Sequence, residues 1–133
     1  MSRVALVTSA GRGIGLAAAR RFIADGWRVA LLDIDGGLLD TAMAGLGAPD
    51  RTLALRCDVA DAAGVSAAVR EAAQHWGRLD ALVNNAGTAV FKPILDTTPE
   101  DWARVMAVNL TGPFLCVQAA APILAAGGRA GFG

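Results

Sequence analysis

The sequence predicts an α/β protein with a doubly wound parallel sheet, and three observations carry that prediction. Short apolar runs alternate with stretches of helical period, glycine or turn residues separate them, and the runs lack the polar alternation of a half-exposed antiparallel sheet. Right-handed crossovers then favour the strand order 3-2-1-4. With 133 residues and 13.5 kDa the chain is read as a single domain, 1–133. Surface scaling gives roughly 6,500 Å² folded against roughly 20,000 Å² unfolded, enough for a real core.

Val4-Ala5-Leu6-Val7 reads as a strand buried on both faces, ending at a glycine-rich turn. From Gly13 to Asp25, Ile14, Ala17, Ala18, Phe22 and Ile23 recur at helical spacing, and Gly26 suits the C′ position. Arg28 to Leu32 is a second strand closed by Asp33, and Gly36 to about Leu46 a second helix. Thr52 to Cys57 follows as a third strand. Asp61 is placed to cap a helix turning Val65, Ala68, Val69, Ala72 and Trp76 inward, with Gly77 at its end. Asp80 to Val83 is the fourth strand. Thr98, Pro99 and Asp101 open a long helix reaching about Leu124, with a kink expected near Gly112-Pro113. Gly127-Gly128-Arg129 reads as the turn into a fifth strand, at most begun.

Twelve basic residues balance twelve acidic ones, so nothing marks a nucleic-acid surface. The sequence shows no uninterrupted apolar run of membrane-spanning length and no secretory signal, so a soluble cytoplasmic protein without a membrane partner is expected. Cys57 and Cys116 match neither a disulfide framework nor a metal spacing, and no metal site is expected. His75 sits near a helix end and reads as a dipole partner. There is no tyrosine, and Lys92 is the single lysine.

Thr8-Ser9-Ala10-Gly11-Arg12-Gly13-Ile14-Gly15 lies where a strand turns into a helix, with Asp33 closing the next strand. Glycines there let main chain approach a pyrophosphate, and the helix N-terminus offers free N–H groups and a positive dipole end. Asp33 is placed to accept hydrogen bonds from an adenosine ribose and to repel a 2′-phosphate. Arg12 could pair with such a phosphate, but Ile34 follows Asp33 where a basic residue would help. NAD is therefore favoured over NADP.

On these residues the chain resembles the amino-terminal half of a short-chain dehydrogenase/reductase of Rossmann type. The family's T-G-x-x-x-G-x-G segment is matched by Thr8, Gly13, Ile14 and Gly15, with Ser9 where the family usually has glycine. A Cβ at a turn needing positive φ implies slight strain or a weaker cofactor site there. Asn84-Asn85-Ala86-Gly87 matches the family's N-N-A-G motif; a methyltransferase using S-adenosylmethionine, which shares the glycine-loop logic, is disfavoured by it.

The resemblance implies a cofactor surface of Thr8, Ser9, Gly11, Arg12, Gly13, Ile14 and Gly15, with Asp33 and Ile34 beside the ribose. Cys57, Asp58 and Val59 would meet the adenine, and Asn85, Ala86 and Gly87 the inner face. Asn84 would steady the central sheet, and Asn109 is the family's catalytic-site asparagine, its backbone holding a water in a proton relay. Phe91 and Lys92 border the region where a substrate enters in relatives.

Family members also use a Ser, a Tyr and a Lys four residues beyond it, the Tyr serving as general acid or base. None of the three can be assigned in these residues. The expectation is a truncated, NAD-dependent oxidoreductase of alcohols and carbonyls, inactive alone. The alternative is a non-enzymatic dinucleotide-binding module or sensor. The fourth strand and the 99–125 helix are expected to leave an edge and an apolar face that drive homo-oligomerisation or self-association.

Overall fold

The computed structural model describes residues 2–127. Four parallel strands form one sheet in the order β3-β2-β1-β4, as the crossover rule predicts: β1 (Val4–Thr8), β2 (Arg28–Asp33), β3 (Thr52–Arg56) and β4 (Ala81–Val83). The register pairs Val4 with Arg28 and Thr8 with Leu32, and Leu6 with Leu82 on the other side. The two strands at the centre are apolar from Val4 to Val7 and from Val29 to Leu32, because both of their faces are covered there, and polar residues stand only at their ends.

Period-two alternation divides these strands between two cores. Val7, Val29 and Leu31 pack against Ala19 and Ile23 of α1 (Gly13–Ala24) and Leu39 and Ala42 of α2 (Gly36–Leu46). On the opposite face Val4, Leu6, Ala30 and Leu32 meet Val65, Val69 and Ala72 of α3 (Ala62–Trp76). Cys116, Ala120 and Ile123 of α5 (Gly112–Ala125) complete that face.

The helix ends follow the expected chemistry. Gly47 and Gly77 take left-handed conformations after α2 and α3, and Gly26 has φ +88° after α1. Thr98 and Asp101 form a full capping box at the start of α4 (Pro99–Met106). Several boundaries move by one residue: β1 ends at Thr8 rather than Val7, β2 takes in Asp33, β3 ends at Arg56 rather than Cys57, β4 begins at Ala81 rather than Asp80, and α1 ends at Ala24. Asp61 sits at the cap position of α3 without a side-chain cap hydrogen bond.

The break expected near Gly112-Pro113 lies just before it, as a π turn over Ala107–Thr111 joining α4 to α5. Pro113 has no N–H to offer the Asn109 carbonyl, its partner in a regular helix, so the turn widens there. By length and composition the continuous 99–125 helix is long and apolar enough to cross a bilayer. Its Gly112, Cys116, Ala120 and Ile123 row is buried, and the last three pack in the core with α3. The expected fifth strand falls outside the described residues.

Candidate functional site

The carboxyl ends of the four strands meet in a cleft of about 270 Å³. Its frame is a set of main-chain locks. Thr8 Oγ1 accepts the N–H groups of Asn85 (3.0 Å) and Ala86 (2.9 Å), and the Asn85 amide donates to the carbonyls of Thr8 and Ser9, both at 3.3 Å. These contacts tie the end of β1 to the segment after β4. Asn84, given the sheet-steadying task by the resemblance, is exposed, and Asn85 performs it instead. The Asn85 N–H also reaches the Val83 carbonyl at 3.2 Å, a tight turn at Asn84 that brings Asn85 back toward β1.

Asp33 is the charged centre of the cleft. It is buried, and its two oxygens are held by main-chain donors: Oδ2 accepts the Gly11 N–H at 2.9 Å and Oδ1 the Asp35 N–H at 3.0 Å. A carboxylate has about four acceptor positions, so lone pairs are left on the cleft side. The end of β2 is fixed further by Cys57 N–H to the Asp33 carbonyl (2.9 Å) and Arg56 Nε to the Ile34 carbonyl (3.1 Å).

The glycines of the turn divide their tasks. A Cβ on Gly11 would come within 2.8 Å of both Asp33 Oδ2 and Leu38 Cβ, and one on Gly15 would collide with the Ser9 carbonyl and the Asn85 amide. Both are therefore packing glycines, and the Gly11 amide is already taken by Asp33 rather than turned to a ligand. Gly13 has φ +58° with open space around its Cβ position, and Ile14 beside it is 80% exposed. Arg12 at the N-cap makes no side-chain cap, which leaves the first-turn N–H groups of α1 open to a ligand. Ser9 has φ +52°, the only positive-φ residue other than glycine among the described residues. The strain expected for a serine in this turn is present.

Of the predicted residues, Ser9, Arg12, Asp33, Ile34, Cys57, Asp58, Val59, Ala86 and Gly87 line the cleft. Thr8, Gly11, Gly15 and Asn85 hold its frame from behind. Asp58 lines it while Oδ1 accepts the Ala60 N–H at 2.9 Å, so the turn-capping and cleft-lining readings of this residue both hold. Val59 is wedged against Gly112, where a Cβ would come 2.9 Å from its Cγ2. Asn109 stands at the rim with its side chain clamped on Thr88, accepting its N–H at 2.7 Å and donating to its carbonyl at 2.8 Å. Sequence reading missed Asp35, Leu38, Thr88, Arg104 and Val108. The helical spacing of Arg104 and Val108 was the signal that could have found those two.

Burial pushes the Cys57 thiol up to about 11, with Cys116, Asp58 and Asp61 adding to the effect, and burial also raises Cys116. Both are neutral core thiols at physiological pH. Among the described residues no group of three or more His, Cys, Asp or Glu side chains could hold a metal. Lys92 is paired with Asp101 at 2.7 Å, away from the cleft.

A parallel sheet in this order, with a glycine turn and an acidic residue at adjacent strand ends, defines a Rossmann-type nucleotide fold. A model of the short chain dehydrogenase family matches residues 3–131. The D-threitol dehydrogenase of Mycolicibacterium smegmatis is 43% identical over 96% of this chain and 50% of its own length. For the 2-(R)-hydroxypropyl-CoM dehydrogenase of Xanthobacter autotrophicus the identity is 46%, over 92% and 51%. A short-chain dehydrogenase/reductase from Burkholderia phymatum, solved in complex with NAD, superposes with TM-score 0.88 at 33% identity, covering 92% of this chain and 44% of that one. A metagenomic blue fluorescent protein in complex with NADPH gives 0.83 at 37%, covering 90% and 50%. The chain belongs to the short-chain dehydrogenase/reductase family. It spans about half the length of the curated relatives it matches.

Proposed function

We propose that this chain binds the ADP-ribose portion of NAD, in preference to NADP, as the cofactor half of an oxidoreductase acting on alcohols or carbonyls. The observation that carries this reading is the buried Asp33 carboxylate, locked between the Gly11 and Asp35 amides and lining the cleft. Its lone pairs suit a ribose diol, and its charge opposes a 2′-phosphate. Arg12 lines the same cleft, but it is exposed and screened, whereas Asp33 is fixed and buried. The open amides of α1 would receive the pyrophosphate, and Asp58 and Val59 the adenine. When bound, the nicotinamide ring would exchange a hydride with the substrate. Relatives named for dehydrogenation of D-threitol and 2-(R)-hydroxypropyl-CoM support the substrate class.

These 133 residues contain no tyrosine, and their one lysine is engaged by Asp101. Binding without turnover is therefore expected of this chain by itself, and the same observation favours the second reading, a non-enzymatic dinucleotide module. Calorimetric titration tests the proposal. NAD should bind more tightly than NADP, Asp33→Asn should weaken NAD at least about tenfold and narrow that gap, and polyols should yield no NADH. Binding of NAD unchanged by Asp33→Asn would overturn the reading.

A further inference from the structure

We propose that the Ser9 side chain is itself a ligand-binding group, its hydroxyl hydrogen-bonding a ribose hydroxyl of the dinucleotide beside Asp33. The proposal rests on reading the cleft as an adenine-dinucleotide site, and it starts from position. The β1–β2 register ends with Thr8 opposite Leu32, and the next N–H to reach the Leu32 carbonyl is that of Ala10 at 2.9 Å, so Ser9 bulges out of the ladder at the strand end where Asp33 closes β2. Adjacent strands lie about 4.8 Å apart, so the bulge that carries Ser9 leaves β1 at the same end of the sheet as the carboxylate. Both residues line the cleft.

Conformation is the second observation. Ser9 holds φ +52°, a region costly for a residue with a Cβ, and it is the one such residue among those described. The conformation is imposed from outside. The Ser9 carbonyl accepts from the Asn85 amide at 3.3 Å and is pressed against the start of α1, where Gly15 leaves room for it. Glycine would occupy this turn without cost, so the backbone gains nothing from a serine. What the serine adds is a hydroxyl, with one donor and two lone pairs, and no hydrogen bond to it forms among the described residues. Strain retained at a cleft wall, with a free hydroxyl as its product, assigns the side chain to the ligand.

The chemistry is complementary to its neighbour. Each Asp33 oxygen already accepts one main-chain N–H, so the carboxylate can only receive the remaining hydroxyl protons of a diol. Ser9 can also donate to a ribose oxygen, a role that Asp33 lacks when ionised.

The test uses the whole chain, Ser9→Gly and Ser9→Ala, with NAD, ADP, 2′-deoxy-ADP and 3′-deoxy-ADP as probes. If the hydroxyl binds ribose, Ser9→Gly raises the melting temperature by about 2–5 °C yet weakens NAD and ADP about three- to tenfold. Ser9→Ala loses the same affinity without the thermal gain. The wild type should also discriminate ADP from at least one deoxy analogue more strongly than Ser9→Gly does. If Ser9→Gly binds NAD as tightly as the wild type or more so, the proposal falls while the Asp33 reading stands. If the wild type binds neither NAD nor ADP, the Asp33 reading falls and takes this one with it.

Discussion

Gly11 and Asp33 form a pair in which neither residue tolerates exchange alone. Gly11→Ala sets a methyl 2.8 Å from the Asp33 oxygen and the Leu38 Cβ, so the carboxylate must swing away or the turn must open. We expect a loss of about 1–3 kcal/mol in chemical denaturation and a weakening of NAD by tenfold or more. Unchanged affinity would show that the carboxylate position is immaterial. The glycine spacing and Asp33 were legible in the sequence because each sits at a strand end. What spacing could not show was the contact between them, formed across two strands, which takes the Gly11 amide away from the ligand. Cys57 gives a second residue-scale expectation. Its folded-state thiol is raised to about 11, so its contribution is complete below the unfolded value of about 9 and is lost as pH rises through about 11. Thiol titration of native protein at pH 8 should therefore run well below the unfolded-state rate; labelling of Cys57 as fast as in denaturant would contradict its burial.

At the scale of elements, the long helix and the loop it holds behave as one unit. Asn109 closes both backbone groups of Thr88 from within the π turn, so it acts here as a positioning residue for the segment after β4. Asn109→Ala should accelerate amide exchange at Thr88 and its neighbours about tenfold or more while leaving exchange in β1 and β2 unchanged. Equal protection in the variant would show that the loop is held by something else. The helix itself was legible from Thr98, Pro99 and its apolar period. The break expected near Gly112-Pro113 takes the form of a π turn just before it, because Pro113 marks a missing N–H and the widening is expressed at the carbonyls preceding it. The Asn84 assignment failed for a comparable reason: a tetrapeptide motif names two asparagines, and only the backbone direction decides which reaches β1.

For the whole molecule the parallel sheet was readable because strands covered on both faces are written as continuous apolar runs. The cleft walls contributed by Thr88, Arg104 and Val108 were not, since they come from elements that converge only on folding. Among the described residues β4 pairs on one side only, and Leu110, Phe114 and Val117 lie exposed along one side of the 99–125 helix, with Phe114 at 60%. We propose that a second copy of the chain covers this face. Light scattering after size exclusion should show dimers or larger species at tens of micromolar, and Phe114→Glu should shift them toward monomer; a wild-type monomer at every concentration would contradict it. Global stability should fall in acid. Arg78 holds the Asp80 carboxyl below the usual range through contacts of 2.8 and 2.6 Å, assisted by the Val4 N–H against the cost of partial burial. That contribution is complete above the unfolded value of about 4 and is lost as pH falls through the lower folded value. Asp80→Asn should flatten the stability profile below about pH 4, and an unaltered profile would show that the Arg78–Asp80 pair does not govern acid stability.

We propose that Asp33, locked to the glycine turn, makes the strand ends into a dinucleotide cradle. Amide chemical-shift mapping during NAD titration tests it most directly. A cradle at the strand ends should give saturable shifts concentrated at Gly11, Gly13, Ile14, Asp35, Ala86 and Gly87; shifts absent at saturating NAD, or gathered on the α3 and α5 face instead, would contradict it.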